Sequence, residues 1–308
     1  MPTLTRAEVA EQAGVPLAVA EQLWHLLGFP HAEEHQTAFT SADVEALRLT
    51  DQLMRLGILS GDRQSALVRT WGRAFARLAE WQVSLLADVA RERGGDATAE
   101  MLTLADDVIP QVEALQSYAW RRHLGSAASR LLADAPGADA AAGETSTLAV
   151  GFVDIVGYTS RSKELDEQEL VAWIETFEHE STGLVVDQGG RLIKSLGDAV
   201  MYVADSPVDA AEVALTLTER GEDEADPYPR VRAGLAYGEV VPRLGDVFGP
   251  VVNIASRLTS VARPGTVVVD AGAAEELGEV AGLRVQRMRR TSVKGYAKLQ
   301  PYALRRSR

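Results

Sequence analysis

A run of small residues with a Pro-Gly breaker, Asp134-Ala135-Pro136-Gly137-Ala138-Asp139-Ala140-Ala141-Ala142-Gly143, separates two stretches of chain whose apolar residues recur with different periods. Before it, Leu67, Trp71, Phe75, Leu78, Val83 and Leu86 follow helical spacing, and β-branched alternation is scarce. After it, short β-rich runs alternate with helical ones. The reading is an all-α domain over residues 1–133, a linker over 134–145 and a second domain over 146–308.

In the second domain a strand is expected at Leu148-Ala149-Val150-Gly151-Phe152-Val153 and a helix from Asp166 to Val186. The runs Arg191-Leu192-Ile193-Lys194 and Val200-Met201-Tyr202-Val203 flank a tight turn, as a hairpin would. A helix from Val208 to Glu219 and a strand at Arg230-Val231-Arg232-Ala233-Gly234-Leu235 complete a β-α-β-β-α-β order, the order of a ferredoxin-like sheet in an α+β fold. No internal repeat at a fixed period is present, which sets aside solenoids and propellers.

Composition narrows the chemistry. The chain carries 31 Lys+Arg against 44 Asp+Glu, a net charge of −13, which argues against a nucleic acid or an anionic lipid surface as its main partner. It has no cysteine, so disulfides, thiolate metal sites and a cysteine nucleophile are excluded. The first residues, Met1-Pro2-Thr3-Leu4-Thr5-Arg6-Ala7-Glu8, lack a basic n-region and an apolar h-region, and no apolar run is long enough to span a membrane. A cytoplasmic protein without stable membrane insertion is expected.

Two carboxylates stand where strands end. Asp154 closes the first strand and is followed by Ile155-Val156-Gly157-Tyr158-Thr159, and Asp198 lies in the Leu196-Gly197-Asp198 turn of the hairpin. The strand order sets the first strand beside the hairpin, so both can point at one spot suited to hard divalent cations, which take oxygen ligands and substrate phosphates. Either Asp alone would read as a turn cap.

Three segments resemble the class III nucleotidyl cyclases: Phe152-Val153-Asp154-Ile155-Val156-Gly157-Tyr158-Thr159, Ile193-Lys194-Ser195-Leu196-Gly197-Asp198, and Gly245-Asp246-Val247-Phe248-Gly249-Pro250-Val251-Val252-Asn253-Ile254-Ala255-Ser256-Arg257. The resemblance spans residues 146 to 305. It implies that Asp154 and Asp198, with the backbone carbonyl of Ile155, hold two divalent cations, Mg²⁺ or Mn²⁺. The metals of that family activate a ribose 3′-hydroxyl and neutralise the triphosphate and leaving pyrophosphate. Lys194 and Asp246 match the base-reading pair. A Lys donor with an Asp acceptor suits adenine and mismatches guanine, so ATP is the implied substrate. Asn253 and Arg257, four apart in a helix expected from Val251 to Ala262, share one face. The resemblance gives Asn253 the ribose and Arg257 the α-phosphate, where a planar donor fork meets developing charge. Lys294, in Ser292-Val293-Lys294-Gly295-Tyr296, matches a lysine that contacts the triphosphate. From Arg284 onward the chain has nine Lys/Arg and no acid, which otherwise reads as solvated strands. In the family, sites form between two catalytic domains, so this complement on one chain implies a symmetric homodimer with two sites.

The first half begins like a helix-turn-helix of the MerR kind, with Thr5 to Pro16, then Leu17 to Phe29, and Phe39-Thr40-Ser41-Ala42-Asp43-Val44 capping a third helix. Its reading helix would hold no Lys or Arg, and residues 1–30 carry only Arg6 against Glu8, Glu11 and Glu21. That surface repels phosphate, and the motif reads as a reused scaffold. The arrangement resembles soluble bacterial adenylyl cyclases with an N-terminal regulatory domain, some of them pH-responsive. His25, His31, His35 and His123, four of the five histidines, lie here, as do Trp24, Trp71, Trp81 and Trp120. The tryptophans suit ordinary core packing or a pocket for a lipid or small molecule. The rival to a regulated adenylyl cyclase is a nucleotide-sensing DNA-binding regulator with a cyclase-like domain, which the intact Asp154, Asp198, Asn253 and Arg257 and the acid-rich first helices both disfavour.

Overall fold

The computed structural model describes residues 2–56, 62–94, 96–133, 145–293 and 295–307. All but Thr145 of the linker expected at 134–145, and Lys294 and Arg308 among the basic residues, lie outside the described residues. The chain falls into two compact units, Met1–Ala138 and Asp139–Arg308.

The first unit is helical. In α1 (Arg6–Ala13) the Thr5 hydroxyl accepts from the Glu8 amide, and the Glu8 carboxylate accepts from the Thr5 amide at 2.8 Å. This reciprocal cap satisfies donors that the first helical turn cannot. α2 (Leu17–Leu27) and α3 (Ser41–Arg55) follow, the latter opened by the same device between Thr40 and Asp43. Val9, Ala20, Leu23, Trp24, Phe39, Val44, Leu47 and Val68 form their core, and the Trp24 and Phe39 rings stack at 4.5 Å. Two long helices complete the unit, α4 (Asp62–Arg93) and α5 (Ala97–Ala133). Only three residues separate them, so they form an antiparallel hairpin. Pro110 lies inside α5, where it can offer no amide to the Asp106 carbonyl.

The second unit is built on β1 (Ser146–Ile155), followed by the short α6 (Tyr158–Arg161) and by α7 (Glu167–Asp187), capped at Asp166. β2 (Arg191–Ser195) and β3 (Ala199–Ala204) make the hairpin, then come α8 (Pro207–Arg220) and β4 (Val231–Arg243). The strand order β2-β3-β1-β4, antiparallel throughout, is the ferredoxin-like order. Beyond it lie β5 (Asp246–Phe248), α9 (Pro250–Val261), β6 (Val267–Val269), α10 (Ala271–Leu277), β7 (Leu283–Arg287), β8 (Thr291–Val293), β9 (Tyr296–Leu299) and β10 (Tyr302–Arg306). The sheet extends as β4-β6-β10-β7, so the last strand inserts between two earlier ones, while β8 and β9 pair apart.

Alternation along β1 divides the interior. Ala149, Val153 and Ile155 join Phe177, Tyr202, Leu217 and Leu277 beneath α7, α8 and α10, whereas Leu148, Val150 and Phe152 meet Met201, Val247, Val251 and Ala255 on the α9 side. Gly234 on β4 makes that second layer possible. A Cβ there would lie 2.3 Å from the Thr259 amide nitrogen and 2.5 Å from the Ala255 carbonyl, so the bare glycine lets α9 rest on the strand backbone.

Candidate active site

Asp154 is level with Ala199 on one neighbouring strand and Arg232 on the other, at the end of β1 where the hairpin turns. The turn reverses through Gly197, at φ 76, a conformation glycine adopts without strain. The Ile155 amide donates to the Asp198 carbonyl at 2.8 Å, fastening the two carboxylate-bearing segments together. By alternation, Asp154 faces the α9 side, with Leu148, Val150 and Phe152.

Arg232, which the sequence reading did not single out, grips this carboxylate. Its Nε and Nη2 reach the same Oδ2 at 2.7 and 2.6 Å. Burial pushes the Asp154 carboxyl above its ordinary range, the Arg232 guanidinium pulls it back, and the Asp198 charge adds a smaller push upward. An Arg on a strand reads as a solvated residue by itself. No local signal marks it, since Arg230 stands two residues before it and its partner Asp154 is 78 residues away.

Lys194 on β2 and Asp246 on β5 are 52 residues apart in sequence, yet their side chains meet at 2.5 Å. β4 continues past Gly238 and turns at Leu244 and Gly245, both at positive φ, so that β5 pairs back as Arg243↔Asp246 to Val241↔Phe248. This arm carries Val247 into the core on the α9 side. The Val247 amide also donates to Asp246 Oδ1, leaving Oδ2 for the lysine.

α9 buries Val251, Ala255 and Leu258 and turns Asn253 and Arg257 away from that face. Among the described residues neither side chain makes a hydrogen bond or ion pair. The fold thus brings Asp154 to Asp198 and Lys194 to Asp246, and leaves the two polar groups of α9 free; Lys294 falls outside the described residues.

The donor set is all oxygen: two carboxylates and the backbone beside them. That fits a hard cation such as Mg²⁺ or Mn²⁺. No cluster of three or more His, Asp or Glu placed to hold a metal ion occurs among the described residues, so water and substrate oxygens would complete any coordination shell here.

A mixed sheet with two carboxylates brought together at a strand end suits the metal-assisted chemistry of phosphate esters, and sequence comparison names the class. The family of the adenylate and guanylate cyclase catalytic domain matches residues 141–306, and the chain belongs to it. Within it the chain stands with the bacterial adenylate cyclases, and it is an enzyme. It is 40% identical to an adenylate cyclase of Streptomyces coelicolor over 89% of this chain and 71% of that protein. It is 37% identical to one of Glutamicibacter nicotianae, over 97% and 78% respectively. A pH-sensitive adenylate cyclase of Mycobacterium tuberculosis is 28% identical over 88% of this chain and 69% of its own length. Among the described residues no helix is long and apolar enough to cross a membrane.

Proposed function

We propose that the protein converts ATP to 3′,5′-cyclic AMP and pyrophosphate at sites shared by two copies of the chain. The observation that carries this is the meeting of Asp154 and Asp198 at the end of β1, with the Lys194–Asp246 pair standing on the same domain. Asp154, Asp198 and the Ile155 carbonyl would hold two divalent cations, Mg²⁺ or Mn²⁺, which when bound lower the pKa of the ribose 3′-hydroxyl and neutralise the triphosphate. The oxygen of that hydroxyl attacks the α-phosphorus, its proton is lost, and the bond to the β-phosphate breaks. Lys194 donates to an adenine ring nitrogen and Asp246 accepts from the exocyclic amine. Asn253 orients the ribose, the Arg257 fork meets the charge growing on the α-phosphate, and Lys294 contacts the triphosphate.

One feature supports a homodimer. Asn253 and Arg257 find no partner on their own chain among the described residues, and an isologous pair would bring each α9 to the other copy's carboxylates. The helical unit is proposed to regulate turnover. His25 and His31 line a cavity of about 310 Å³ with Arg6 and Glu21, a setting in which proton uptake alters local charge, and one relative is named for pH sensitivity. A lipid or small molecule is a second candidate signal. DNA is a poor one, because Arg6, the only Lys or Arg among residues 1–30, is paired with Glu21 at 2.8 Å.

The test is purified protein with ATP and Mn²⁺ across pH, scored for cyclic AMP. Wild type is expected to turn over. Asp154→Ala and Asp198→Ala should each lose about 3 kcal/mol or more of transition-state stabilisation, roughly a hundredfold in rate, while remaining folded. Near wild-type rates in either variant would sink the metal-site assignment.

A further inference from the structure

The α4–α5 hairpin leaves its own apolar surface uncovered. A groove of about 380 Å³ runs between the helices, lined by Phe75, Leu78, Gln82 and Leu86 on one side and Val108 and Val112 on the other. Trp81 is 63% exposed and Leu85 50%, and every residue from 117 to 129 of α5 is exposed. Two helices cannot bury both flanks of such a hairpin; four can.

Charge indicates what covers it. The half of the hairpin remote from its turn is basic, with Arg69, Arg73 and Arg77 on α4 and Arg121 and Arg122 on α5. The half near the turn is acidic once its internal pairs are counted. Arg91 is joined to Asp88 and Arg93 to Glu100, which leaves Glu80, Glu92, Asp106 and Asp107, with Asp96 in the turn and Glu113 near the hairpin's middle. Among the described residues, neither the five arginines nor these six acids form an ion pair. Within the hairpin, antiparallel helices set basic beside basic and acidic beside acidic, so the imbalance cannot be relieved internally. A second hairpin stacked parallel would repeat the clash. Stacked antiparallel, about a dyad crossing the groove near Ala79, it lays each basic half on an acidic half and closes both grooves at once. The surface is complementary to itself about one axis, as an isologous interface requires.

We propose that the α4–α5 hairpins of two chains pack antiparallel into a four-helix bundle, a contact separate from the catalytic site and not dependent on it.

The chain has no cysteine, so introduced thiols report cleanly. Phe75 and Val83 both line the groove and are exposed, four residues on either side of Ala79. In the full-length protein, a mixture of Phe75→Cys and Val83→Cys chains should cross-link as 75-to-83 heterodimers about tenfold faster than either variant alone, since only the mixture opposes the two thiols. Arg73→Glu with Arg77→Glu should slow that cross-linking about tenfold at low salt, and adding Glu80→Lys with Glu92→Lys to the same chain should restore it. Preferential 75-to-75 bonding would overturn the antiparallel arrangement. Absence of cross-linking together with uptake of a fluorescent fatty acid into the groove would overturn the second copy as its occupant. Cyclic AMP production enters neither readout, so failure here leaves the catalytic proposal untouched.

Discussion

Asp154 shows how one residue is held between opposing influences. Its folded-state pKa lies above the unfolded value, so folding disfavours the ionised form. The contribution to stability is therefore fully present below the unfolded value and is lost as pH rises through the folded one. A cation needs the ionised form, so protons compete with it on the acid side. Carbon-13 NMR titration of the metal-free protein should find the Asp154 carboxyl higher still in Arg232→Met, which removes the downward pull, and lower in Asp198→Asn, which removes the neighbouring charge. Movement in the reverse direction for either variant would mean burial is not opposed by these two groups. At the other pair, Lys194→Glu with Asp246→Ser should weaken ATP use by about 1–3 kcal/mol in kcat/KM. The swap of Lys194→Asp with Asp246→Lys keeps an ion pair but inverts its polarity, and it should lose ATP use as well; recovery by the swap would make the pair structural and not a reader of the base. The carboxylates and the residues of the Lys194–Asp246 pair stand out in the sequence because each sits in a compact local motif. Arg232 does not, because its meaning lies in a register with β1 set 78 residues away.

At the scale of elements, legibility followed locality. The expected helix from Asp166 begins where Asp166 caps α7, and the hairpin turns at Gly197 as its sequence suggests. β4 was underestimated, read as six residues where the strand runs from Val231 to Arg243, because Gly238 and Pro242 break the apolar alternation while the pairing with β1 and β5 carries the chain onward. α9 illustrates how an element positions chemistry: its seat is the bare backbone at Gly234. Gly234→Ala should lift the helix and cost about 1–3 kcal/mol of stability in urea denaturation. Turnover should fall further than stability alone explains, since Asn253 and Arg257 ride on the displaced helix. Full activity with unchanged stability would mean that the contact between α9 and β4 is soft.

At the scale of the whole molecule, the proposed sharing of sites makes a quantitative prediction. Asp198→Ala and Arg257→Ala homodimers should both be inactive. Co-expressed chains pair at random, about half of the dimers are mixed, and each mixed dimer holds one undamaged site, so roughly a quarter of wild-type activity should return. No recovery, with mixed dimers shown to form, would place each site within a single chain. The strand order also has a consequence for how the chain is made. β10 lies between β6 and β7, and Arg306 at its end reaches Glu212 and Glu219 on α8 at 2.8 and 3.0 Å. Until residues 302–306 have left the ribosome, β6 and β7 have no strand between them and α8 lacks its clasp. The helical unit can therefore settle during synthesis, whereas the catalytic sheet must wait for its final strand, so a nascent chain stalled before that point carries a folded helical unit and an unfinished enzyme.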